Sequence, residues 1–320
     1  MDPNTLERHL TSRLKFKYLK LLVTVGEQQN IFRAAQILNM AQPAATKIIR
    51  DIEIALNLSL FERSSRGVVP TLYGEILIKH AKLVLSQVRH ASEELSTIQG
   101  GLSGRVTVGT LLAASATLLP HAIIRLKKER PNVSVIVVEG TLDKLVAALK
   151  LDDLDLIVGR IPEVQEEEGL SNEVLFYEPI SLVTRTHHPL QQRQNLTLAD
   201  LLDQEWILPP RETLLRQEID AIFHKQGLNI PANATESVSI LANRTLLKET
   251  DMISTLPNEV IRTYEEIGLL KRLNVDLGDE PGPIGITVRA DRALPPVSEY
   301  LLHALRDEAA IIRQRNKIQP

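Results

Sequence analysis

Between Phe16 and Glu27 the apolar residues Phe16, Leu19, Leu22, Val23 and Val25 recur mostly three or four positions apart, which predicts an amphipathic helix. Asn30 is a suitable N-cap for a second helix over 31–38, packed through Ile31, Ala34, Ala35 and Leu38. The small Ala34 and Ala35 pair lets another helix approach closely. The chain then reverses at Asn39, Met40 and Ala41, and Pro43 sits where a first-turn proline is tolerated, so a third helix starts near Gln42. On it, Ala45, Ile48, Ile49, Ile52 and Leu56 form a buried stripe, which leaves Gln42, Ala44, Thr46, Lys47 and Arg50 facing outward. Residues 60–71 read as two short extended segments around a basic Ser-Ser-Arg-Gly turn. From Leu72 to about Gln99, the residues Leu77, Ala81, Val84, Val88, Ala91, Leu95 and Ile98 alternate four- and three-residue steps. That is the seam of a coiled coil, and it predicts a dimerisation helix. Gly100, Gly101 and Gly104 mark a hinge after it.

Beyond Gly104 the pattern changes to short β-rich runs alternating with helices. Strands are expected at 106–109, 133–138 and 154–159, with helices over 118–129 and 142–149. A second round begins near Val174, with strands at 180–184, 206–208 and 252–255 and helices near 213–226, 238–248 and 257–267. A strand at 284–289 and a closing helix over 295–315 follow. Alternation of this kind predicts parallel sheet covered by helices. The fold class is therefore α/β with an N-terminal all-α winged helix-turn-helix and a long linker helix. The expected domains are 1–71, 72–100 and 101–320.

Composition agrees with several folded units. At 320 residues the chain is long for one domain of roughly 100–200 residues, and its 43% hydrophobic and 24% charged residues are ordinary for globular proteins. There is no cysteine, which excludes disulfides, thiolate metal sites and cysteine nucleophiles. Residues 1–14 carry charges throughout and lack the apolar run of a secretion signal, so a cytoplasmic location is expected. The uncharged stretch 106–124 is about as long as a bilayer span. Thr107, Gly109, Thr110, Ser115, Thr117, Pro120 and His121 interrupt it, and it divides into strand, turn and helix, so no membrane span is expected. Charge is uneven: residues 1–70 hold ten Lys or Arg against six Asp or Glu, a net of +4 that leaves −7 for the remainder of a chain totalling −3. A small phosphate-facing module attached to a domain that does not bind nucleic acid would show this asymmetry.

The third helix carries side chains suited to base edges. Gln pairs with adenine N6/N7, small residues such as Ala44 admit a thymine methyl, and Lys47 or Arg50 reaches guanine or phosphate. The same face would suit a solvated helix in any bundle. The basic turn beside it tips the balance, because a wing there offers Arg63, Ser64, Arg66 and Thr71 as phosphate donors.

Through Ala34-Ala35, Leu38, Gln42-Pro43-Ala44, Lys47, Ile52-Glu53, Leu60-Phe61-Glu62-Arg63, Arg66-Gly67 and Thr71 with Gly74, the chain resembles the LysR-type transcriptional regulators. It departs from their usual pattern at Ala41, where a Ser often caps the recognition helix, so Gln42 is left as the candidate cap, and at Thr46, where Ser is commoner. The resemblance implies double-stranded DNA as partner at Gln42, Pro43, Ala44, Thr46, Lys47, Arg50, Arg63, Ser64, Arg66 and Thr71. It further implies a homodimer through the linker helix, a tetramer made as a dimer of dimers, contact with RNA polymerase, and no cofactor or metal. A dimer would hold two recognition helices on a two-fold axis, so the operator should be an inverted repeat.

For the C-terminal part the resemblance implies two lobes of the periplasmic-binding-protein type, one formed by about 104–172 and 278–320, the other by about 173–277, with an effector between them. In open α/β sheets ligands sit beyond the carboxyl ends of the strands. That rule selects Thr110, Ser115, Thr141, Arg160, Pro209, Arg211, Thr213 and Thr255 as candidate effector contacts. Arg160 and Arg211 would favour a carboxylate, since guanidinium matches it bidentately. The runs 41–47 and 206–210 look like those of regulators of protocatechuate catabolism and of sugar-binding-protein genes, which leaves carboxylate and sugar effectors both open.

Two rival readings fit the sequence less well. An enzyme finds no P-loop, GxGxxG, GxSxG or HExxH, and the pair His187 and His188 lacks a nearby third metal ligand. Asn-x-Ser/Thr triplets, Asn57 among them, matter only in a secreted chain. A solute-binding protein of a transport system fits the C-terminal half alone; residues 1–100 oppose it.

Overall fold

The computed structural model describes residues 3–64, 67–98, 104–162, 168–278 and 281–318. The chain forms two compact units, Met1–Leu95 with Leu151–Asp153, and Ser96–Lys150 with Leu154–Pro320.

The first unit begins with α1 (Pro3–Arg13), α2 (Phe16–Gln28), α3 (Ile31–Ile37) and α4 (Gln42–Leu56). Asn30 caps α3 as its spacing predicts, its side-chain oxygen accepting from Arg33 N–H at 3.0 Å. Asn39 supplies the left-handed residue of the turn into α4 (φ 51°), a conformation Asn tolerates better than most side chains. Leu21, Leu22 and Val25 of α2 meet Ala34 and Ala35 of α3 and Ala45, Ile49, Ile52 and Leu56 of α4 in one core. Two short antiparallel strands follow, β1 (Phe61–Ser64) and β2 (Gly67–Pro70), pairing Phe61 with Pro70 and Ser64 with Gly67. Glu53 on α4 fixes where this wing starts, because its Oε1 accepts from Leu60 N–H at 2.8 Å and Phe61 N–H at 3.2 Å. Next comes α5 (Leu72–Ile98), which has 27 residues.

In the second unit the chain forms β3 (Gly104–Thr110), α6 (Leu112–Ser115), α7 (Leu118–Glu129), β4 (Val133–Glu139), α8 (Leu142–Lys150), β5 (Leu156–Arg160) and β6 (Leu170–Glu178). There follow β7 (Ile180–Arg185), β8 (Trp206–Leu208), α9 (Leu214–Lys225), β9 (Ala234–Glu236), α10 (Ile240–Glu249), β10 (Ile253–Pro257), α11 (Asn258–Glu266) and β11 (Leu270–Arg272). The chain ends with β12 (Gly282–Arg289) and α12 (Pro296–Ile318). Two five-stranded sheets result, in the orders β4-β3-β5-β12-β6 and β11-β7-β10-β8-β9. In each, four strands run one way and one runs against them, β12 in the first sheet and β7 in the second, lying between three parallel neighbours and the edge strand β6 or β11. In the second sheet, Trp206 is buried edge-on to Phe223 at 5.6 Å between centroids, its indole N–H donating to the Leu201 carbonyl at 2.9 Å.

The lobe boundary expected at 173 lies inside β6, which belongs wholly to the first sheet. The strand Leu170–Glu178 pairs with β12 from Leu170 opposite Arg289 to Glu178 opposite Gly282, with a bulge at Leu175, so only at Pro179 does the chain pass to the second sheet. The antiparallel partner lies more than a hundred residues downstream, which is why local periodicity placed the break too early. Strands β9 and β11 were not expected at all; at three residues each they are too short to show a period.

Candidate functional site

On α4 the exposed face is the expected one. Gln42, Pro43, Ala44, Lys47 and Arg50 are exposed, Thr46 is half-buried, and Ala45, Ile49, Ile52 and Leu56 are buried beneath them; Ile48 is only partly buried. Ala41, not Gln42, is the N-cap, with no side-chain cap bond, which leaves the Gln42 amide clear of that duty. Thr71 departs from expectation. Its hydroxyl donates to the Ser59 carbonyl at 2.6 Å and accepts from Gly74 N–H at 3.2 Å, so it fastens the wing to the start of α5 and is not offered to a phosphate. Arg66, with the side chains of Arg63 and Ser64, lies outside the described residues.

A second candidate site lies between the two sheets of the second unit, where a cavity of about 440 Å³ is lined from both lobes. Such a volume suits a small organic ligand. From the first lobe come Leu111, Leu112, Ala113, Glu139, Gly140, Thr141, Leu142, Lys144 and Arg160. From the second come Leu208, Pro209, Thr213, Leu214, Leu215, Ser237, Val238, Asn243, Ser254, Thr255, Leu256 and Pro257. These residues cluster at the carboxyl ends of β4, β5, β8 and β10 and at the starts of α8 and α9, where backbone N–H groups lack intrahelical partners.

Of the residues expected from sequence, Thr141, Arg160, Pro209, Thr213 and Thr255 line this cavity. Three do not. Thr110 is buried at the end of β3 and turns its hydroxyl onto the Leu111 carbonyl at 3.2 Å, and Ser115 turns its own onto the Leu112 carbonyl at 2.9 Å. The Arg211 side chain is 82% exposed and stands 3.9 Å from a Glu236 oxygen, away from the lining. The helix-capping role of Thr213 is plain: its hydroxyl donates to the Pro210 carbonyl at 2.8 Å and accepts from Arg216 N–H at 3.2 Å.

Sequence reasoning missed Asn243, whose Oδ1 is buried at the cavity without a hydrogen-bond partner; Ser254, beside Thr255 at the expected strand end, donates its hydroxyl to the Ile207 carbonyl at 3.0 Å. No local pattern singled out Asn243, which is followed by the polar Arg244 and Thr245. His188 proves structural: Nδ1 accepts from Leu190 N–H at 3.1 Å, which leaves Nε2 to donate to the Asp251 carbonyl at 3.0 Å.

The electrostatics of the cavity floor centre on Arg160. Its Nη1 is 2.8 Å from Glu218 Oε2 and its Nη2 donates to the Glu178 carbonyl at 3.1 Å. The Glu178 carboxyl is fully buried; its Oε1 accepts from Glu259 N–H at 2.6 Å. Burial pushes this carboxyl up to about 8, against the pull of the Glu259 N–H and of Arg160, with Glu259 and Glu218 adding like charge. Glu259 is in turn held by Arg262 and Arg315 and by the Thr117 hydroxyl at 2.9 Å.

A winged helix-turn-helix carried in one chain with a two-lobed α/β unit around a cavity defines a class: DNA-binding proteins with a built-in small-molecule sensor. The description of bacterial regulatory helix-turn-helix proteins of the lysR family matches residues 16–75, and that of the LysR substrate binding domain matches residues 99–310. The chain belongs to the LysR family of transcriptional regulators: it is a DNA-binding regulator with an effector-binding domain, and not an enzyme. It is 34% identical over 304 residues to the HTH-type transcriptional regulator GbpR of Azospirillum brasilense, covering 93% of this chain and 87% of that one. It is 32% identical over 297 residues to the regulator PcaQ of Agrobacterium fabrum, covering 93% and 96%. Among solved structures, that of CbnR, a LysR family transcriptional regulator, superposes with a TM-score of 0.69 at 19% identity, over 92% of this chain and 99% of that one. No described helix is long and apolar enough to cross a membrane.

Proposed function

We propose that the protein binds an inverted-repeat operator as a dimer joined through α5, and that a small molecule in the interlobe cavity sets its activity. The exposed face of α4 carries this reading. Gln42, Ala44, Lys47 and Arg50 line one side of a helix whose opposite side is buried, with a wing alongside, which is the geometry of a helix laid in a major groove. Gln42 and Ala44 read base edges, Lys47 and Arg50 reach guanine or phosphate, and Arg63, Ser64 and Arg66 in the wing donate to the backbone. Support for the dimer comes from the exposed apolar residues Val84, Val88 and Leu95 on α5. Family membership supports assembly into a tetramer, contact with RNA polymerase and work in the cytoplasm. Effector binding changes the relation of the two lobes, and through it the spacing of the DNA-binding modules and the bend of the DNA.

The test is fluorescence anisotropy on an operator duplex across a salt series. Lys47→Ala should weaken binding and, where Lys47 meets phosphate, reduce the slope of log affinity against log salt by about 1. An unchanged affinity would remove α4 from the interface.

A further inference from the structure

The cavity has a charge preference written into its floor. Arg160, the cation selected from sequence as a carboxylate receptor, is 7% exposed and already faces a carboxylate, that of Glu218 on α9 of the opposite lobe, at 2.8 Å. The seat is built around this pairing: a Cβ on Gly282 would lie 1.7 Å from Arg160 Nη1, so only glycine leaves room for the guanidinium where it is. No other buried cation lines the cavity among the described residues. Lys144 stands exposed at the rim with Glu139, where water screens it, and Arg211 is outside. The start of α8 already carries Asp143 in its first turn. Facing the cavity instead is the amide of Asn243, 7% exposed, with its oxygen buried and unpartnered. An unsatisfied buried acceptor calls for a donor from the ligand.

We infer that Glu218 fixes the charge preference of the cavity: by saturating Arg160 it reserves the site for an uncharged ligand that donates a hydrogen bond to Asn243. This inference rests on the reading of the cavity as the effector site. An anion entering the cavity must either be buried beside a guanidinium that is already neutralised, or evict Glu218 and leave its carboxylate next to Glu178. Both routes bury unpaired charge, which is costly. Neutral ligands meet no such cost, and N–H groups in the first turn of α9 other than that of Arg216, which Thr213 caps, can donate to their oxygens.

Benzamide and benzoate, equal in shape and different in charge, are the probes, with binding to the full-length chain measured by calorimetry. The wild type should bind benzamide at least tenfold tighter than benzoate. Glu218→Gln frees Arg160 and should invert the order, raising benzoate affinity by more than the wild-type gap, a hundredfold for a tenfold gap, and the double variant Arg160→Gln/Glu218→Gln, which removes both charges, should lose that gain. Asn243→Ala should weaken benzamide binding tenfold in the wild-type background, which locates the probe. Equal affinities of the two probes for the wild type, no gain of benzoate in Glu218→Gln, or binding of neither probe to any form overturns the inference. If the order inverts as stated while neither bound probe alters the operator footprint, the charge preference stands and the effector reading of the cavity falls.

Discussion

Gly74 shows how a single residue constrains the DNA-binding module. A Cβ there would lie 2.0 Å from the Leu60 carbonyl oxygen, a backbone atom at the root of the wing, while Thr71 ties the same junction through Ser59. Gly74→Ala must therefore push α5 away from β1, and it should cost about 1–3 kcal/mol, the range for overpacking. A melting temperature equal to the wild type's would show that the junction yields freely. Glu178 acts at the same scale on pH dependence. Its carboxyl is held at about 8 in the folded chain against an ordinary 4.5, so between those values the native state binds more protons than the unfolded one. Its contribution to stability is accordingly full below pH 4.5, declines as pH rises towards 8, and is gone above that. Glu178→Gln keeps an acceptor for Glu259 N–H and should flatten this decline in a series of melting temperatures against pH; superimposable profiles for the two proteins would contradict the assignment.

At the scale of elements, α5 serves two purposes along one stripe. The regular spacing from Leu77 to Ile98 suggested one continuous seam, yet Leu77 packs on the core of the first unit and Ala81 is buried, while Val84, Val88, Ala91 and Leu95 are exposed. The dimer contact proposed above would therefore fall on the later part of the helix. Val84→Glu/Val88→Glu should convert the dimer to monomer in sedimentation equilibrium and leave the helix-turn-helix folded; a dimer that persists would place the interface elsewhere. Elements of this kind were legible because their information is local: caps at Asn30, a proline at position 43 and a 3.6-residue period need no distant partner. Membership of β6 in the first sheet, and the strands β9 and β11, depend on pairing across long stretches of chain, which no local pattern encodes. The same division runs through the effector site. That Thr141, Arg160, Pro209, Thr213 and Thr255 line the cavity followed from the rule of strand ends, whereas the neutralisation of Arg160 by Glu218 and the orphaned oxygen of Asn243 exist only once two lobes meet.

At the scale of the whole molecule, the proposed function joins two tasks in one chain: reading DNA with a symmetric pair of α4 helices, and sensing a small molecule in a cleft. Charge follows that division, with the positive excess confined to the first seventy residues. On that proposal the protein's specificity would come from bases met by Gln42 and its neighbours and its affinity from phosphate contacts that salt weakens. The most direct measurement is selection of binding sites by the full-length chain from a pool of random duplexes, followed by sequencing. An inverted repeat whose half-site centres lie about one helical turn, or a multiple of it, apart should be enriched. Enrichment of a single asymmetric site, or of no sequence at low salt, would contradict it.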